Sequence, residues 1–224
     1  MRPLTDTCPK PLLPVRGRPL IVWHINNLVR AGITEIVINH AHLGQMIEDT
    51  LGDGSQFGAR IAYSSEGTAL ETAGGIAKAR HLLGEAPFVA IAGDIFCPHF
   101  DFTKVSDVLE ENDVWGNPLP ADRRDLAWLY LVKNPPHHPE GDFALESFAI
   151  ANRGEPRLTF SGIGVYRPEM FDAVTPGSSA KLAPILREFA EQRRIGGELF
   201  RGDWTDVGTV ERLDQLNAPL ATQR

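Results

Sequence analysis

"PFVAIAGD", residues 87–94, decides how the rest of the chain is read. Phe88 to Ala92 form an unbroken apolar run, the pattern of a strand buried on both faces of a sheet, and the run stops at Gly93 and Asp94. In open α/β sheets ligands bind outside the carboxyl ends of the strands. Asp94 therefore stands where a carboxylate would hold a hard cation such as Mg²⁺. A turn or helix N-cap aspartate has the same local signature.

Upstream, "TEIVINH" (34–40) and "ARIAYSSE" (59–66) read as further strands. Helical patterns lie between them. Pro19 is suited to open the first, in which Ile21, Ile25, Leu28 and Val29 share one face before Gly32 stops it. "LGQMIEDTLGDG" (43–54) and "TAGGIAKARHLLG" (72–84) are the others. This alternation predicts an α/β protein with a parallel, helix-covered sheet and right-handed crossovers. Downstream the pattern is less regular. It predicts a helix over 103–111, a strand at "LAWLYLVK" (126–133) and a loop at "NPPHHPEGD" (134–142). "FALES" and "RLTFSGIGVY" read as antiparallel strands about a turn near Gly154. Helices follow at 181–194 and from about Thr209. No Gly/Ser-rich linker divides the 224 residues, so a single domain is expected, with halves 1–100 and 101–224.

The net charge of −7 and the lack of a basic block argue against nucleic-acid binding. No apolar run has membrane-spanning length, and the N-terminus lacks a signal-peptide core. Cys8 and Cys97, the only cysteines, make no disulfide framework, which fits a reducing cytoplasm. His137 and His138 are adjacent in a proline loop without zinc-ligand spacing. His40 and His42 follow a strand end as structural or cleft-lining residues. Ser161 lacks a nucleophile elbow, and neither a dinucleotide fingerprint nor a Walker loop occurs.

Three segments carry the remaining chemistry. "MRPLTDTCPKPLLPVRGRPL" (1–20) holds prolines at 3, 9, 11, 14 and 19 and is expected to be a stiff, extended loop, neither helix nor strand. Its rigidity preorganises Lys10, a point charge suited to phosphate. "WTDVGT" (204–209) places Asp206 before the last helix, where a second carboxylate can share a cation with Asp94; an acid favoured by the helix dipole reads the same way. "LETAGG" (70–75) puts two glycines at a helix start, where backbone approach and the dipole suit an anion.

These segments together resemble the nucleoside-diphosphate-sugar pyrophosphorylases, the sugar-1-phosphate nucleotidylyltransferases. "RPLTDTCPKPLLPVRGRPLI", "LETAGG", "GD" at 93–94, "FSGIGVY" and "WTDVGT" occur in that family's order across nearly the whole chain. The short length, "INHAHLGQMIEDTLGDGSQFG" and "NPPHHPEGDF" look most like the N-acetylmuramate-1-phosphate uridylyltransferases of peptidoglycan recycling. Short mannose-1-phosphate guanylyltransferases are the close alternative.

The resemblance implies a Rossmann-like three-layer mixed sheet. It also implies a cytoplasmic enzyme, monomer or homodimer, that joins a nucleoside triphosphate (UTP) and a sugar-1-phosphate into a nucleotide sugar and pyrophosphate. By motif, Lys10 and Asp94 are catalytic, and Asp94 and Asp206 hold Mg²⁺. Arg2, Lys10, Glu66, Leu70, Glu71, Thr72 and Gly75 meet the nucleotide. Asn134, Asp142, Ser161 and Gly162 lie where the sugar sits.

One departure carries its own expectation. The family begins with an apolar strand and a glycine-rich loop of the form L-A-A-G-x-G-x-R, and here Met1 falls where that loop ends. The expected consequence is a sheet lacking its first central strand, with a slot between the strands at 34–39 and 87–93, and a poorly soluble, weakly active chain. Two rival readings follow: a sugar-nucleotide binder that has lost catalysis, and a metal-dependent glycosyltransferase, which leaves the "PKP" segment unexplained.

Overall fold

The computed structural model describes residues 1–109, 120 and 124–218. The proline-rich start is more structured than expected. It forms helix α1 (Leu4–Thr7), a 3₁₀ turn at Lys10–Leu12, and a small hairpin of β1 (Pro14–Val15) and β2 (Arg18–Pro19). Proline is tolerated in the first positions of a turn, where its missing N–H would have no partner. Pro11 takes such a place, while the Leu12 and Leu13 N–H groups donate to Pro9 O and Lys10 O. Leu12, Leu13 and Val15 are buried, so apolar packing anchors the segment.

Helix α2 (Leu20–Arg30) leads to β3 (Glu35–His40), α3 (Gly44–Leu51), β4 (Arg60–Ser65), α4 (Glu71–Leu83) and β5 (Phe88–Ile91). β3 and β4 pair in parallel from Glu35↔Arg60 to His40↔Ser65, as the alternation predicts. β5 does not join them. It runs antiparallel to a long strand from the second half, and that strand belongs to a different sheet.

The chain continues with β6 (Ile95–Phe96), then β7 (Ala127–Val132), β8 (Phe143–Glu146), β9 (Ala149–Ala151) and β10 (Arg157–Tyr166). Helix α5 (Leu182–Glu191), β11 (Ile195–Leu199), β12 (Thr205–Asp206) and α6 (Val210–Asn217) complete it. The order in the main sheet is β5-β10-β7-β11-β9-β8, and within it β7 and β11 are parallel while the other pairs are antiparallel. The helix expected over 103–111 is instead a 3₁₀ turn at Phe102–Lys104 followed by turns. Asp101 caps it by accepting from the Thr103 N–H; residues 110 and 111 lie outside the described residues.

Alternation along the strands builds three layers. Leu129 and Leu131 of β7 pack with Ile76 of α4 and Leu186 of α5, whereas Tyr130 packs on the opposite side with Leu28 of α2, Ile95 and Phe100.

The expected slot is present. Among the described residues β3 pairs with β4 alone and β5 with β10 alone. Val37, Ile38 and Asn39 of β3 and Val89, Ala90 and Ile91 of β5 line one cavity of about 1540 Å³.

Candidate active site

The site lies where the first-half strands end. The 3₁₀ turn fixes Lys10, whose Nζ donates to Asp94 Oδ2 at 2.8 Å. Asp94 sits in the turn after β5, which is held down by a hydrogen bond from Ala92 N–H to Gly162 O (2.8 Å). The Val207 N–H donates to Asp94 O at 2.7 Å, and β6 pairs with β12 so that Asp206 lies opposite Ile95. Two acids far apart in sequence thus occupy adjoining backbone positions.

Two buried polar side chains on one face of α2 hold this ribbon. His24 Nε2 lies 2.8 Å from Ile95 O, and Asn27 Nδ2 donates to Pro98 O (3.0 Å) and Cys97 O (3.4 Å). Burial lowers the His24 pKa to about 4, against a smaller upward pull from its bond to Ile95 and from Asp94. The ring is therefore neutral at pH 7. A carbonyl only accepts, so Nε2 carries the proton.

Asp206 is partnered on both oxygens. Arg212 Nη2 lies 2.9 Å from Oδ2 and His137 Nε2 3.0 Å from Oδ1, but the histidine approaches off the line of a hydrogen bond. Oδ1 is thus shielded from solvent without a hydrogen bond. Gly208 makes room for this arrangement, since a Cβ there would collide with the Arg212 guanidinium and come 2.9 Å from Asp206 Oδ2.

The donor chemistry suits a hard cation: two carboxylates at adjoining backbone positions, one with an unsatisfied, shielded oxygen. Among the described residues no cluster of three or more His, Cys, Asp and Glu side chains could hold a metal alone. Such a pair fits Mg²⁺, which keeps waters and takes phosphate oxygens alongside one or two carboxylates.

Among the residues expected to meet the nucleotide, Glu66 accepts from the Leu70 N–H (2.8 Å) and from Asn39 Nδ2 (3.4 Å). A Cβ on Gly75 would strike Glu66 Oε1 and come 2.7 Å from Asn39 Nδ2, so the glycine is what lets α4 approach Glu66. Glu71 and Thr72 line the cavity, and Leu70 is buried. Two donors in the first turn of α4 are not open to an anion as the glycine pair suggested, because the Ala73 and Gly74 N–H groups donate to Ala180 O at 3.0 and 3.1 Å. Arg2 is exposed and pairs with Asp6 at 3.2 Å.

Of the residues expected at the sugar, Asp142 and Gly162 line the cavity. Asn134 is fully engaged by the protein. Its amide donates to Pro139 O and Arg157 O, and its Oδ1 accepts from Thr159 Oγ1. Ser161 is 1% exposed, and its hydroxyl accepts from the Ile163 N–H across an irregularity in β10. Both side chains thus make hydrogen bonds within the protein. His24, Asn39 and Arg212 were not singled out by the sequence, and His137 was set aside there for want of zinc-ligand spacing. Only Arg212 had a usable signal, a cation one helical turn after the glycine of "WTDVGT".

Comparison with known proteins agrees with this geometry. Residues 1–114 match the family model described as nucleotidyl transferase. The chain is 53% identical over 222 residues to the N-acetylmuramate alpha-1-phosphate uridylyltransferase of Neisseria meningitidis serogroup B, covering 97% of this chain and 92% of that protein. It is 25% identical to mannose-1-phosphate guanyltransferase beta-A of Xenopus laevis, covering 93% of this chain but 58% of that one. Among solved structures, one from Bacillus anthracis assigned as a glucose-1-phosphate thymidylyltransferase, in complex with sucrose, superposes with a TM-score of 0.78 at 21% identity, over 97% of this chain and 88% of the other. At that identity the likeness establishes the fold.

Proposed function

Since this chain belongs to the nucleotidyl transferase family, we propose that it transfers a uridylyl group from UTP to N-acetylmuramate 1-phosphate, yielding UDP-N-acetylmuramate and pyrophosphate. The observation that carries the choice of base and sugar is the 53% identity to the Neisseria uridylyltransferase over nearly the full length of both chains. The guanylyltransferase alternative has less support, at 25% identity over 58% of its relative.

In the reaction an oxygen of the sugar phosphate attacks the α-phosphorus of UTP in line. The α–β bridging bond breaks, and its electrons leave with pyrophosphate. Such chemistry needs alignment and charge neutralisation more than a covalent partner. Lys10, fixed by its buried turn and by Asp94, supplies a positive point charge toward the triphosphate. Mg²⁺ held by Asp94 and Asp206 would add neutralisation of the phosphate oxygens. Lys10 and Arg212 are the cations that hold these carboxylates in its place. Glu66, fixed by Leu70 and Asn39, borders the nucleotide side of the cleft, and Asp142 borders the sugar side.

We place the enzyme in the cytoplasm, as a monomer or homodimer, returning muramate phosphate to peptidoglycan synthesis. No helix among the described residues is long and apolar enough to cross a membrane. The test is pyrophosphate release from UTP with N-acetylmuramate 1-phosphate against GTP with mannose 1-phosphate, each with Mg²⁺. Turnover of the first pair alone is expected; preference for the second overturns the assignment.

A further inference from the structure

His137 and His138 are neighbours in the chain, yet each reaches a different carboxylate. His137 Nε2 lies 3.0 Å from Asp206 Oδ1, and His138 Nε2 lies 3.2 Å from Asp142 Oδ1. Asp206 belongs to the cation side of the site and Asp142 to the sugar side. The segment between them is stiff. Pro135, Pro136 and Pro139 flank the pair, fixing φ at three positions. The His138 N–H donates to Pro135 O (2.9 Å), and Asn134 ties the loop to Pro139 O and Arg157 O. Asp142 is itself fixed to the sheet, its Oδ2 accepting from the Phe160 N–H at 2.8 Å. A displacement of His137 therefore passes to His138 and Asp142 rather than being absorbed by a flexible chain.

The contact at Asp206 is the adjustable joint. Arg212 holds Oδ2, while Oδ1 has a histidine close by but no aligned hydrogen bond. Carboxylates that ligate a metal are oriented by hydrogen bonds from the residues behind them, and losing such a partner typically weakens binding. We propose that His137 and His138 are positioning residues that make loop 134–142 a strut between Asp206 and Asp142, so that a cation at Asp206 orders the sugar side of the cleft. A bound cation fixes the carboxylate, the fixed carboxylate gives His137 one acceptor geometry, and the proline-braced dipeptide carries that geometry to Asp142. The inference rests on the reading of Asp206 as a cation ligand.

The experiment uses the full chain and Mn²⁺ alone, with no nucleotide or sugar, so it is independent of turnover. Calorimetry measures Mn²⁺ affinity, and hydrogen exchange follows the amides of His138, Gly141 and Asp142. In the wild type, saturating Mn²⁺ is expected to slow exchange in the loop about 5-fold or more, the lower range of ordinary coupling between sites. His137→Ala should weaken Mn²⁺ about 10-fold and leave loop exchange unchanged at its own saturation. His137→Gln, which retains a donor, should restore both. His138→Ala should keep the Mn²⁺ affinity but lose the protection of Asp142. Equal affinity and equal protection in His137→Ala would overturn the strut, as would a wild-type loop indifferent to bound Mn²⁺. Failure of the wild type to bind Mn²⁺ at all would instead defeat the cation reading of Asp206, and the strut with it; calorimetry separates the two failures.

Discussion

Lys10 and Asp94, 84 positions apart, meet at 2.8 Å, with Lys10 mostly shielded and Asp94 half exposed. An ion pair this open to water contributes roughly 0–1 kcal/mol to stability, so its placement at the strand ends points to function. Asp94→Asn is expected to lower UTP turnover by about 100-fold or more, the scale of losing a preorganised charge-stabilising group, while unfolding stability changes by less than about 1 kcal/mol. Steady-state kinetics and denaturant titration of the same preparation check this. Undiminished Mg²⁺-dependent activity would remove Asp94 from the mechanism.

Gly75 makes a second relationship testable. Its missing Cβ is what permits α4 to lie against Glu66 and Asn39. Gly75→Ala should push Glu66 off the Leu70 N–H, raise KM for UTP more than it lowers kcat, and cost on the order of 1–3 kcal/mol from overpacking. If KM for UTP and the melting temperature both stay at wild-type values, the close approach has no role in nucleotide binding.

His24 predicts an acid sensitivity. Burial, the main cause, lowers its folded pKa to about 4 from an unfolded value of 6.5. Between these values the unfolded chain binds a proton that the folded chain does not, so stability is full above pH 6.5 and falls as pH drops toward 4. At about 1.36 kcal/mol per pKa unit the loss is on the order of 3 kcal/mol. Carboxylates add their own acid dependence, so the measurement is a difference. The wild type should lose more stability than His24→Gln between pH 6.5 and 4, and parallel pH profiles would refute the assignment.

The cavity between β3 and β5 bears on folding. Residues of both edges line it, those of β5 half-buried, and each ladder group left unpaired where it is buried costs roughly 1–3 kcal/mol. Against a whole-domain stability of about 5–15 kcal/mol, a few such groups matter. A synthetic apolar peptide of usual strand length, added in trans, is expected to raise the melting temperature by pairing with these edges. An unchanged melting temperature at saturating peptide would show that the cavity carries no cost.

Much of the fold was legible because it rests on local rules. The strands at 34–40 and 59–66, the helices at 43–54 and 72–84, and the carboxyl-end position of Asp94 follow from apolar periodicity, from glycine stops and from where open sheets bind ligands. Lys10, Asp94, Glu66 and Asp206 were named from short motifs, and the structure places Lys10 on Asp94 and Asp206 on the adjoining strand. The partner of β5 was not legible, because strand pairing depends on which distant segment offers a complementary edge, and nothing within residues 87–94 specifies residues 163–166. The helix start of "LETAGG" looked like an anion site for the same reason: whether a free N–H meets a ligand or Ala180 O depends on a carbonyl a hundred residues away. Local sequence determined which segments are strands and helices and which side chains have the chemistry for phosphate and a cation. Tertiary structure alone decided that Asn134 and Ser161 spend their polar atoms on the protein, and that two adjacent histidines part toward two different acids. Those outcomes depend on the three-dimensional separation of side chains, which the one-dimensional spacing of residues does not encode.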